Sequence, residues 1–264
     1  MSGRMLVGDE RGWSGGVVSP LAECVLAPNP SAWTLDGTNT WIVGAAGGPA
    51  VVIDPGPLGG GHADAILQRV EERRSRVTAV LLTHNHVDHS EGAEELATRM
   101  GVPVRAWHSG SESGVESLDV NGANIQVIAT PGHTSDSVSF VLDDTILTGD
   151  TVLGRGTSVV AHPDGRVADY LASLHKLSRL CSELGIRQLL PGHGPVITDP
   201  QRVVDYYLAH RQERLEQVRE AIASGATTAT QVVERVYWDV PAEVRRAAEA
   251  TVLAQIAYLE ESSN

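Results

Sequence analysis

The stretch Leu81-Leu82-Thr83-His84-Asn85-His86-Val87-Asp88-His89 decides how this chain folds and which chemistry it can carry. An apolar run over residues 77–82 ends there, and four potential metal ligands follow within six residues. Imidazole and carboxylate groups are the ligands that Zn²⁺ and similar divalent ions prefer. Because side chains alternate along an extended chain, His84 and His86 are predicted to point to the same side. The stretch therefore predicts a strand end that carries a metal site, with Asp88 and His89 at the start of the next helix.

Three further ligand-type side chains also follow apolar runs. They lie in Thr130-Pro131-Gly132-His133-Thr134, in Leu147-Thr148-Gly149-Asp150 and in Leu190-Pro191-Gly192-His193-Gly194. A loop at a strand end is where a rigid sheet can position a functional side chain. Each of the three alone is equally consistent with a turn residue that makes local hydrogen bonds. Together with the first cluster, His133, Asp150 and His193 predict one metal centre.

Short apolar runs alternate with helical patterns up to about residue 195, which predicts an α/β fold with helices covering the sheet faces. Residues 51–53 and 77–82 are predicted strands buried on both faces. Ile125 with Val127, and Val138 with Phe140 and Leu142, alternate with polar residues as half-buried strands do. Helices are predicted over residues 63–72, 91–100 and 167–184, the last two closed by Gly101 and Gly185.

The character of the chain changes after Gly194, so residues 1–198 are predicted to form a catalytic domain and residues 199–264 a small helical, winged-helix-like cap domain. Asp199-Pro200 supplies an N-cap and a proline at N1. A second helix is predicted from Thr228 to about Tyr237. Residues 200–264 carry ten acidic and seven basic residues and leave no sequence for a wing, so a cap that completes the core is favoured over a DNA-reading unit. The apolar faces are predicted to be Val204, Leu208, Leu215, Val218 and Ile222 in the first helix, and Val244, Ala248, Val252, Ile256 and Leu259 in a helix opened by Pro241.

The composition excludes several classes of protein. With 264 residues, 42% hydrophobic and 20% charged, the chain has a globular rather than a disordered balance. It has no apolar run of the roughly 20 residues that a membrane span needs, and its N-terminus shows no apolar core of a signal peptide. Two isolated cysteines indicate a reducing compartment, so we expect a cytoplasmic protein. A net charge of -13 and 4% aromatic residues argue against broad nucleic-acid binding. The oligomeric state is not indicated.

The order H-x-H-x-D-H, Pro-Gly-His, Gly-Asp and Pro-Gly-His-Gly, with Ile53-Asp54-Pro55-Gly56 upstream, resembles the metallo-β-lactamase superfamily. The resemblance covers about residues 20–195 and implies a four-layer αββα sandwich. It also implies a dinuclear ligand set like that of glyoxalase II and ribonuclease Z, with Asp150 bridging two ions. Antibiotic-cleaving members lack this bridging aspartate, so a true β-lactamase is disfavoured. In the implied set, His84, His86 and His133 hold one ion, and Asp88, His89 and His193 hold the other.

A narrower resemblance extends over nearly the whole chain. Residues 38–43, 149–157 and 169–174 and the pair His210-Arg211 are similar to the lactamase-beta-like protein 2 family. That family joins a catalytic sandwich to a small helical C-terminal domain, and its vertebrate member is a mitochondrial endoribonuclease selective for single strands. The resemblance therefore implies phosphodiester hydrolysis of single-stranded RNA.

The expected enzyme is a zinc-dependent hydrolase with two Zn²⁺ per chain, or Mn or Fe in their place, and a metal-bridging hydroxide as nucleophile. Its expected substrate is a single-stranded RNA or an anionic small molecule, since the ions create a local anion site. A glyoxalase II-like thioester or lactone hydrolase is the alternative. A metal-binding scaffold without turnover, and a persulfide-oxidising enzyme with one iron, are less favoured because the ligand set is complete for two metals.

Several residues have predicted supporting roles. Asp88 is a candidate catalytic residue, and His162 is a candidate leaving-group acid, although a plain loop histidine fits it better. Asp54 and Thr83 are expected to hold the His84 loop in place, with a simple turn role as the alternative for Asp54. Candidates for substrate anchoring are Arg155, Tyr170 and Arg211. No chemistry is assigned to His62, His108, His175 and His210, and the arginines at 69, 73, 74 and 76 are the only basic cluster.

Overall fold

A computed structural model describes residues 12–107, 116–120, 123–240 and 244–262. It contains two mixed sheets. The first has the strand order β1-β2-β3-β4-β5-β6, antiparallel except for the parallel pairs β4·β5 and β5·β6. Its strands are β1 Gly16–Ser19, β2 Ala22–Leu26, β3 Asn39–Val43, β4 Pro49–Ile53, β5 Arg76–Leu81 and β6 Val104–Arg105.

The second sheet has the order β11-β10-β9-β8-β7 and is antiparallel except for the pair β10·β11. Its strands are β7 Glu116–Val120, β8 Ala123–Ala129, β9 Val138–Leu142, β10 Thr145–Gly149 and β11 Gln188–Pro191. The helices are α1 His62–Glu72, α2 Val87–Ser90, α3 Ala93–Met100, α4 Val167–Leu184, α5 Pro200–Ala223, α6 Ala229–Val236 and α7 Arg245–Glu261.

Three apolar clusters stack these elements into four layers. Trp41, Ile53 and Phe140 belong to a cluster between the two sheets. The outer face of the first sheet packs on α1 and α3 around Ile66 and Leu96. The outer face of the second sheet packs on α4 and α5 in a cluster whose members include Ile146, Leu174, Leu177, Val204 and Tyr207. The predicted αββα sandwich is therefore confirmed, and no helix of the described residues is long and apolar enough to cross a membrane.

The predicted helix over residues 91–100 is wrong at its start. The helix α3 begins two residues later, at Ala93, and a separate short helix, α2, ends before it at Ser90. The backbone N–H of Gly92 donates to the carbonyl of Gly56 at 2.9 Å, and a Cβ at Gly92 would lie 3.0 Å from that carbonyl oxygen. The segment therefore bends around the Asp54 turn instead of continuing as one helix. The predicted helix ends at Gly101 and Gly185 are confirmed, and both glycines have a left-handed φ.

Two predicted burial patterns are also wrong. Every residue of β9 is buried, because its second face is covered by α4 and α5; the polar Ser139 there bonds to Thr130 at 2.9 Å. In α5, Ile222 is 39% exposed, whereas Tyr207 and Arg211 are buried. The predicted Asp199 N-cap of α5 and Thr228 N-cap of α6 are confirmed. Pro241 lies outside the described residues, and the division into two domains stays a prediction.

Candidate metal centre

The structure brings together all seven predicted ligands at one edge of the sandwich. His84 and His86 follow β5, His133 follows β8, Asp150 follows β10 and His193 follows β11. Ligand atoms within 4.8 Å of one another form the sets His84, His86, His133; His84, His89, Asp150; and Asp88, His89, His193.

Asp150 lies between the two predicted histidine groups. Its Oδ2 is 3.7 Å from Nε2 of His133 and 3.4 Å from Nε2 of His193, and its Oδ1 is 3.5 Å from Nε2 of His89. The backbone of Gly192 packs directly against the Asp150 side chain, because a Cβ at Gly192 would lie 2.4 Å from Oδ1. This position suits the predicted bridging role, and the assignment of each ligand stays a prediction.

Hydrogen bonds from outside the cluster orient four of its imidazoles. In each, Nδ1–H donates to an oxygen, so Nε2 is left with its lone pair facing the cluster. The acceptors are the Thr83 hydroxyl for His84 at 3.0 Å, the Asp54 carboxylate for His89 at 2.9 Å, the Val159 carbonyl for His133 at 2.7 Å and the Gly37 carbonyl for His193 at 3.1 Å.

Ring nitrogens of neighbouring imidazoles also face one another across the cluster. Nε2 of His133 lies 3.0 Å from Nδ1 of His86, and Nε2 of His89 lies 3.2 Å from Nε2 of His193. Nε2 of His84 and Oδ1 of Asp150 are buried without a hydrogen-bond partner among the described residues. Buried lone pairs that converge in this way need cations. The donor set therefore fits divalent metal ions.

The charges of the cluster also indicate a site for cations. Burial alone would raise the pKa of the Asp150 carboxyl, but His193 and His89 outweigh it and hold that pKa well below its usual range. Burial would lower the pKa of His193, but Asp150 and Asp88 raise it to about 9. For His84, burial and the neighbouring His89 hold the pKa well below its ordinary value. The buried carboxylates thus require positive charge, which protons or divalent cations can supply.

The predicted supporting roles of Asp54 and Thr83 are confirmed. Oδ1 of Asp54 accepts from the backbone N–H of Thr83 at 2.8 Å, and Oδ2 accepts from the Thr83 hydroxyl at 2.7 Å. The same Oδ2 accepts from His89. Asp54 has a φ of +51°, a left-handed conformation that an aspartate tolerates better than most residues. One carboxylate therefore fixes both the loop of His84 and the ring of His89.

Comparisons with known proteins identify the family. Residues 33–110 match the family model described as the metallo-beta-lactamase superfamily. A beta-lactamase-like protein 2 homolog of Caenorhabditis elegans is 32% identical over 241 residues, which cover 85% of this chain and 79% of the relative. The chain belongs to the metallo-β-lactamase superfamily. This membership identifies it as a hydrolase.

Two further similarities extend over most of this superfamily member. An atrochrysone carboxyl ACP thioesterase of Aspergillus fumigatus is 32% identical over 251 residues, 86% of this chain and 77% of the relative. The crystal structure of a metallo-beta-lactamase family protein from Thermus thermophilus superposes with a TM-score of 0.75 at 23% identity, over 94% of this chain and 95% of the other. The second similarity concerns the fold, including the helices that follow the sandwich.

Sequence reasoning missed the role of Asn39 in this superfamily site. Its backbone N–H donates to the carbonyl of Gly192 at 2.8 Å, and its side-chain amide donates to the carbonyls of Pro191 and Gly194 at 2.9 and 2.8 Å. Asn39 therefore clamps the turn that carries His193. Its place in the motif of residues 38–43 was the only available signal, and a motif does not reveal a partner more than 150 residues away.

A cleft of about 720 Å³ opens over the cluster of predicted ligands. Trp33, 46% exposed, and Leu35 form part of its wall, together with the loop after Asp150. Arg155 is the only lysine or arginine in this lining among the described residues, and it pairs with Asp36 at 2.9 Å. The lining includes the apolar residues Ala32, Trp33, Leu35, Val87, Leu153, Val159, Ala161, Pro163 and Ala247, with the polar residues Ser31, Thr34, Arg155, Thr157, Ser158 and Asp164.

Of the other predicted site residues, only Arg155 belongs to the described cleft lining. His162 is not part of the described lining and uses its backbone N–H to donate to the carbonyl of Ala250 at 3.1 Å, so its acid role stays a prediction. Its side chain is exposed. The anchoring roles predicted for Tyr170 and Arg211 are wrong, because both side chains are buried. Arg155 keeps its candidate role.

The remaining histidines and the clustered arginines that the structure describes are not part of the described cleft lining. His62 is buried against Thr40, with Nε2 at 2.8 Å from its hydroxyl. His210 stacks on Tyr206, and burial lowers its pKa to about 4. His175 is exposed, and His108 lies outside the described residues. Of the predicted basic cluster, Arg69 and Arg73 are ion-paired with Glu23.

Proposed function

We propose that this protein hydrolyses thioesters that carry an apolar acyl group. Two divalent cations, Zn²⁺ in the first instance, would be held by His84, His86, Asp88, His89, His133, Asp150 and His193. The observation that carries the proposal is the apolar wall of the cleft above these residues. Pockets of this size and polarity suit small organic ligands, which they bury against apolar side chains.

The cleft is poorly suited to a polyanion. Nucleic-acid binding depends on several lysines or arginines that neutralise phosphates. Among the lining residues that the structure describes, Arg155 is the only one of that kind, and Asp36 already neutralises it. Trp33 is the only tryptophan, tyrosine or phenylalanine in that described lining on which a base could stack. The geometry therefore favours the thioester alternative over the single-stranded RNA substrate.

The chemistry of the leaving group also fits the cleft. Hydrolysis adds OH to the acyl carbon and H to the sulfur as the C–S bond breaks. A thiol has a pKa of roughly 8.5, so it can leave as the thiolate without a general acid. An RNA alkoxide would need an acid, and His162 is not in the described lining.

The protein's own groups would bind the acyl chain, orient the carbonyl and move one proton. Trp33 and Leu35 would contact the acyl chain and exclude water from it. Asp88 has a side chain that is 27% exposed, with Oδ2 at 3.2 Å from Nε2 of His193, and could take a proton from water at the cleft floor. Bound divalent cations would supply Lewis acidity and a more acidic water.

The relatives support the same substrate class. The thioesterase of Aspergillus fumigatus is named for an acyl carrier thioester. In such a substrate the acyl carbon is bonded to a sulfur atom, and this C–S bond is the one that we propose is hydrolysed in the cleft.

The test is a substrate panel with the zinc-loaded protein. Acetyl-, hexanoyl- and decanoyl-coenzyme A are compared with S-lactoylglutathione, a lactone and an unstructured single-stranded RNA, and metal content is measured alongside. We expect two zinc ions per chain and a kcat/KM that rises with acyl length. His133→Ala should lose turnover because a ligand is removed.

Trp33→Ala tests the acyl wall itself. Since burial of each CH₂ contributes about 0.8 kcal/mol, losing contact with two carbons should lower kcat/KM for decanoyl-coenzyme A by roughly 10-fold. Acetyl-coenzyme A has no acyl chain beyond its methyl group and serves as the control substrate. RNA cleavage without thioester turnover, abolished in His133→Ala, would overturn the proposal and favour the endoribonuclease.

A further inference from the structure

Arg211 of α5 is a buried cation in a place where the sequence suggested a substrate anchor. Its side chain is 5% exposed, and no carboxylate pairs with it in the described part of the chain. One Nη donates to the backbone carbonyl of Ser158. The guanidinium carbon lies 4.9 Å from the centre of the Tyr170 ring. Burying an arginine without an ion pair is costly, so the contacts it makes call for a functional explanation.

The chain segment that Arg211 holds also orients a predicted metal ligand. The carbonyl of Val159, next along the chain, accepts Nδ1–H of His133 at 2.7 Å. The Ser158 hydroxyl lies 3.3 Å from the same nitrogen. Holding the Ser158 carbonyl fixes the planar Ser158–Val159 peptide, so that only the φ and ψ of Val159 are left to move the Val159 carbonyl. Arg211 thereby restricts the orientation of the His133 ring.

The Tyr170 ring under the Arg211 guanidinium is itself held in place. Tyr170 is fully buried, and its hydroxyl donates to the carbonyl of Thr151 at 2.6 Å. A second residue of α5, Tyr207, accepts from the backbone N–H of Leu153 at 2.9 Å. The loop over residues 151–159, which forms one wall of the cleft, is thus attached to α5 at both ends.

We propose that Arg211 is a positioning residue for His133, and that through it the C-terminal helix α5 sets the metal affinity of the site. The inference rests on the metal site of the proposed function and not on its substrate. A purely structural arginine would stabilise the fold without changing how metal is bound.

The chain offers a matched control in Arg214. Its guanidinium carbon lies 5.0 Å from the centre of the Tyr237 ring, and its Nη1 donates to the carbonyl of Val236 at 3.0 Å. It therefore repeats the arrangement of Arg211 on the same helix, but it holds a segment that no predicted ligand contacts among the described residues. Arg211→Met and Arg214→Met remove the same chemical group from the two places.

The experiment measures metal binding rather than turnover. Zinc affinity is determined against a competing chelator, and the visible absorption spectrum is recorded after Co²⁺ substitution. Loss of a partner behind a ligating histidine typically costs 10–100-fold in affinity. We expect Arg211→Met to weaken zinc binding by that factor and to change the Co²⁺ bands. Arg214→Met should leave both unchanged, although it lowers the melting temperature.

Arg211→Lys is the second variant, because it keeps the charge and one donor and so should fold even if Arg211→Met does not. It lacks the planar fork, so it should recover only part of the zinc affinity. Wild-type zinc affinity and an unchanged Co²⁺ spectrum in a folded Arg211 variant would overturn the inference. A wild-type protein that binds no metal would instead refute the proposed function.

Discussion

Single side chains outside the predicted ligand set control the geometry of this site. Asp54 is the clearest example, because Oδ2 accepts two hydrogen bonds, from Thr83 and from His89. Both donors are buried inside the protein, where an unpaired donor is costly.

Asp54→Asn should weaken zinc binding by about 10–100-fold. Asparagine tolerates the left-handed φ of +51° and can still accept from the Thr83 backbone, but its NH₂ group faces the two donors now bound by Oδ2. The measurement is a zinc titration against a chelator. Asp239→Asn, at an exposed aspartate, is the matched control. Equal zinc affinities for both variants would show that the Asp54 hydrogen bonds do not matter.

His62 should make stability depend on pH. Burial lowers its pKa to about 4, whereas in the unfolded chain it is roughly 6.5. As the pH falls, the unfolded chain takes up the proton first. The stabilisation is therefore fully present above pH 6.5 and is lost progressively towards pH 4, by about 2 kcal/mol at pH 5.

The measurement compares urea unfolding of wild type and His62→Gln at pH 7.5 and pH 5, in chelator so that metal binding does not contribute. Glutamine can still donate to the Thr40 hydroxyl that His62 contacts at 2.8 Å. The advantage of the wild type should shrink by about 2 kcal/mol at the lower pH. His175→Gln, at an exposed position, controls for the loss of a histidine. An advantage that stays constant with pH would refute the prediction.

Among the elements, α4 packs very closely against the turn of His133. Gly132 has a φ of +133°, and a Cβ there would lie 2.3 Å from the backbone of Tyr170. Gly185, at the C-terminal end of α4, has a φ of +64° and open space around its Cβ position. An alanine at Gly185 would therefore cause backbone strain alone, whereas an alanine at Gly132 would cause backbone strain and a steric clash.

Gly185→Ala should lower the free energy of unfolding by about 1 kcal/mol, from left-handed strain alone. Gly132→Ala should lower it by about 3 kcal/mol or more and should also weaken zinc binding, because α4 or the His133 turn must move. Urea unfolding and a zinc titration check both variants. Comparable unfolding energies, with zinc affinity intact in Gly132→Ala, would contradict the packing argument.

In the whole molecule, the C-terminal helices complete the core of the sandwich. Val203, Val204, Tyr207 and Leu215 belong to the same cluster as the residues of α4 and β11. Burying each such side chain contributes about 1.5–3 kcal/mol, and their sum is comparable with the roughly 5–15 kcal/mol of a typical domain. The predicted boundary near residue 198 is therefore not expected to mark an independently stable unit.

A chain ended at Thr198 should show no cooperative thermal transition and no rise in melting temperature on adding zinc. Its α4 would expose the face that α5 covers, and the Ser158 carbonyl would lose Arg211. Differential scanning calorimetry with and without zinc checks this, with the full chain as control. A cooperative transition near that of the full chain would establish residues 1–198 as a separate domain.

The sequence by itself indicated an α/β fold with helices on the sheet faces, the ends of α4 and the positions of the seven predicted ligands, whereas the αββα arrangement was implied by the resemblance of its motifs to the metallo-β-lactamase superfamily. These features depend on local patterns: apolar period, glycine after a helix, and ligand-type residues at strand ends, which a parallel or mixed sheet brings to one edge. Asp54 and Thr83 were also predictable, because they lie in motifs next to the ligands.

Only the tertiary structure decided what covers each surface. Burial of both faces of β9, the clamp of Asn39 on the His193 turn and the burial of Tyr170 and Arg211 all depend on segments far apart in the chain. The apolar wall of the cleft has the same origin, since it combines residues near Trp33, the loop after Asp150 and Ala247 of α7. A local pattern reports which residues can form a strand or bind a metal, but the shape and polarity of the cleft are set by the distant segments that fold over the predicted ligands.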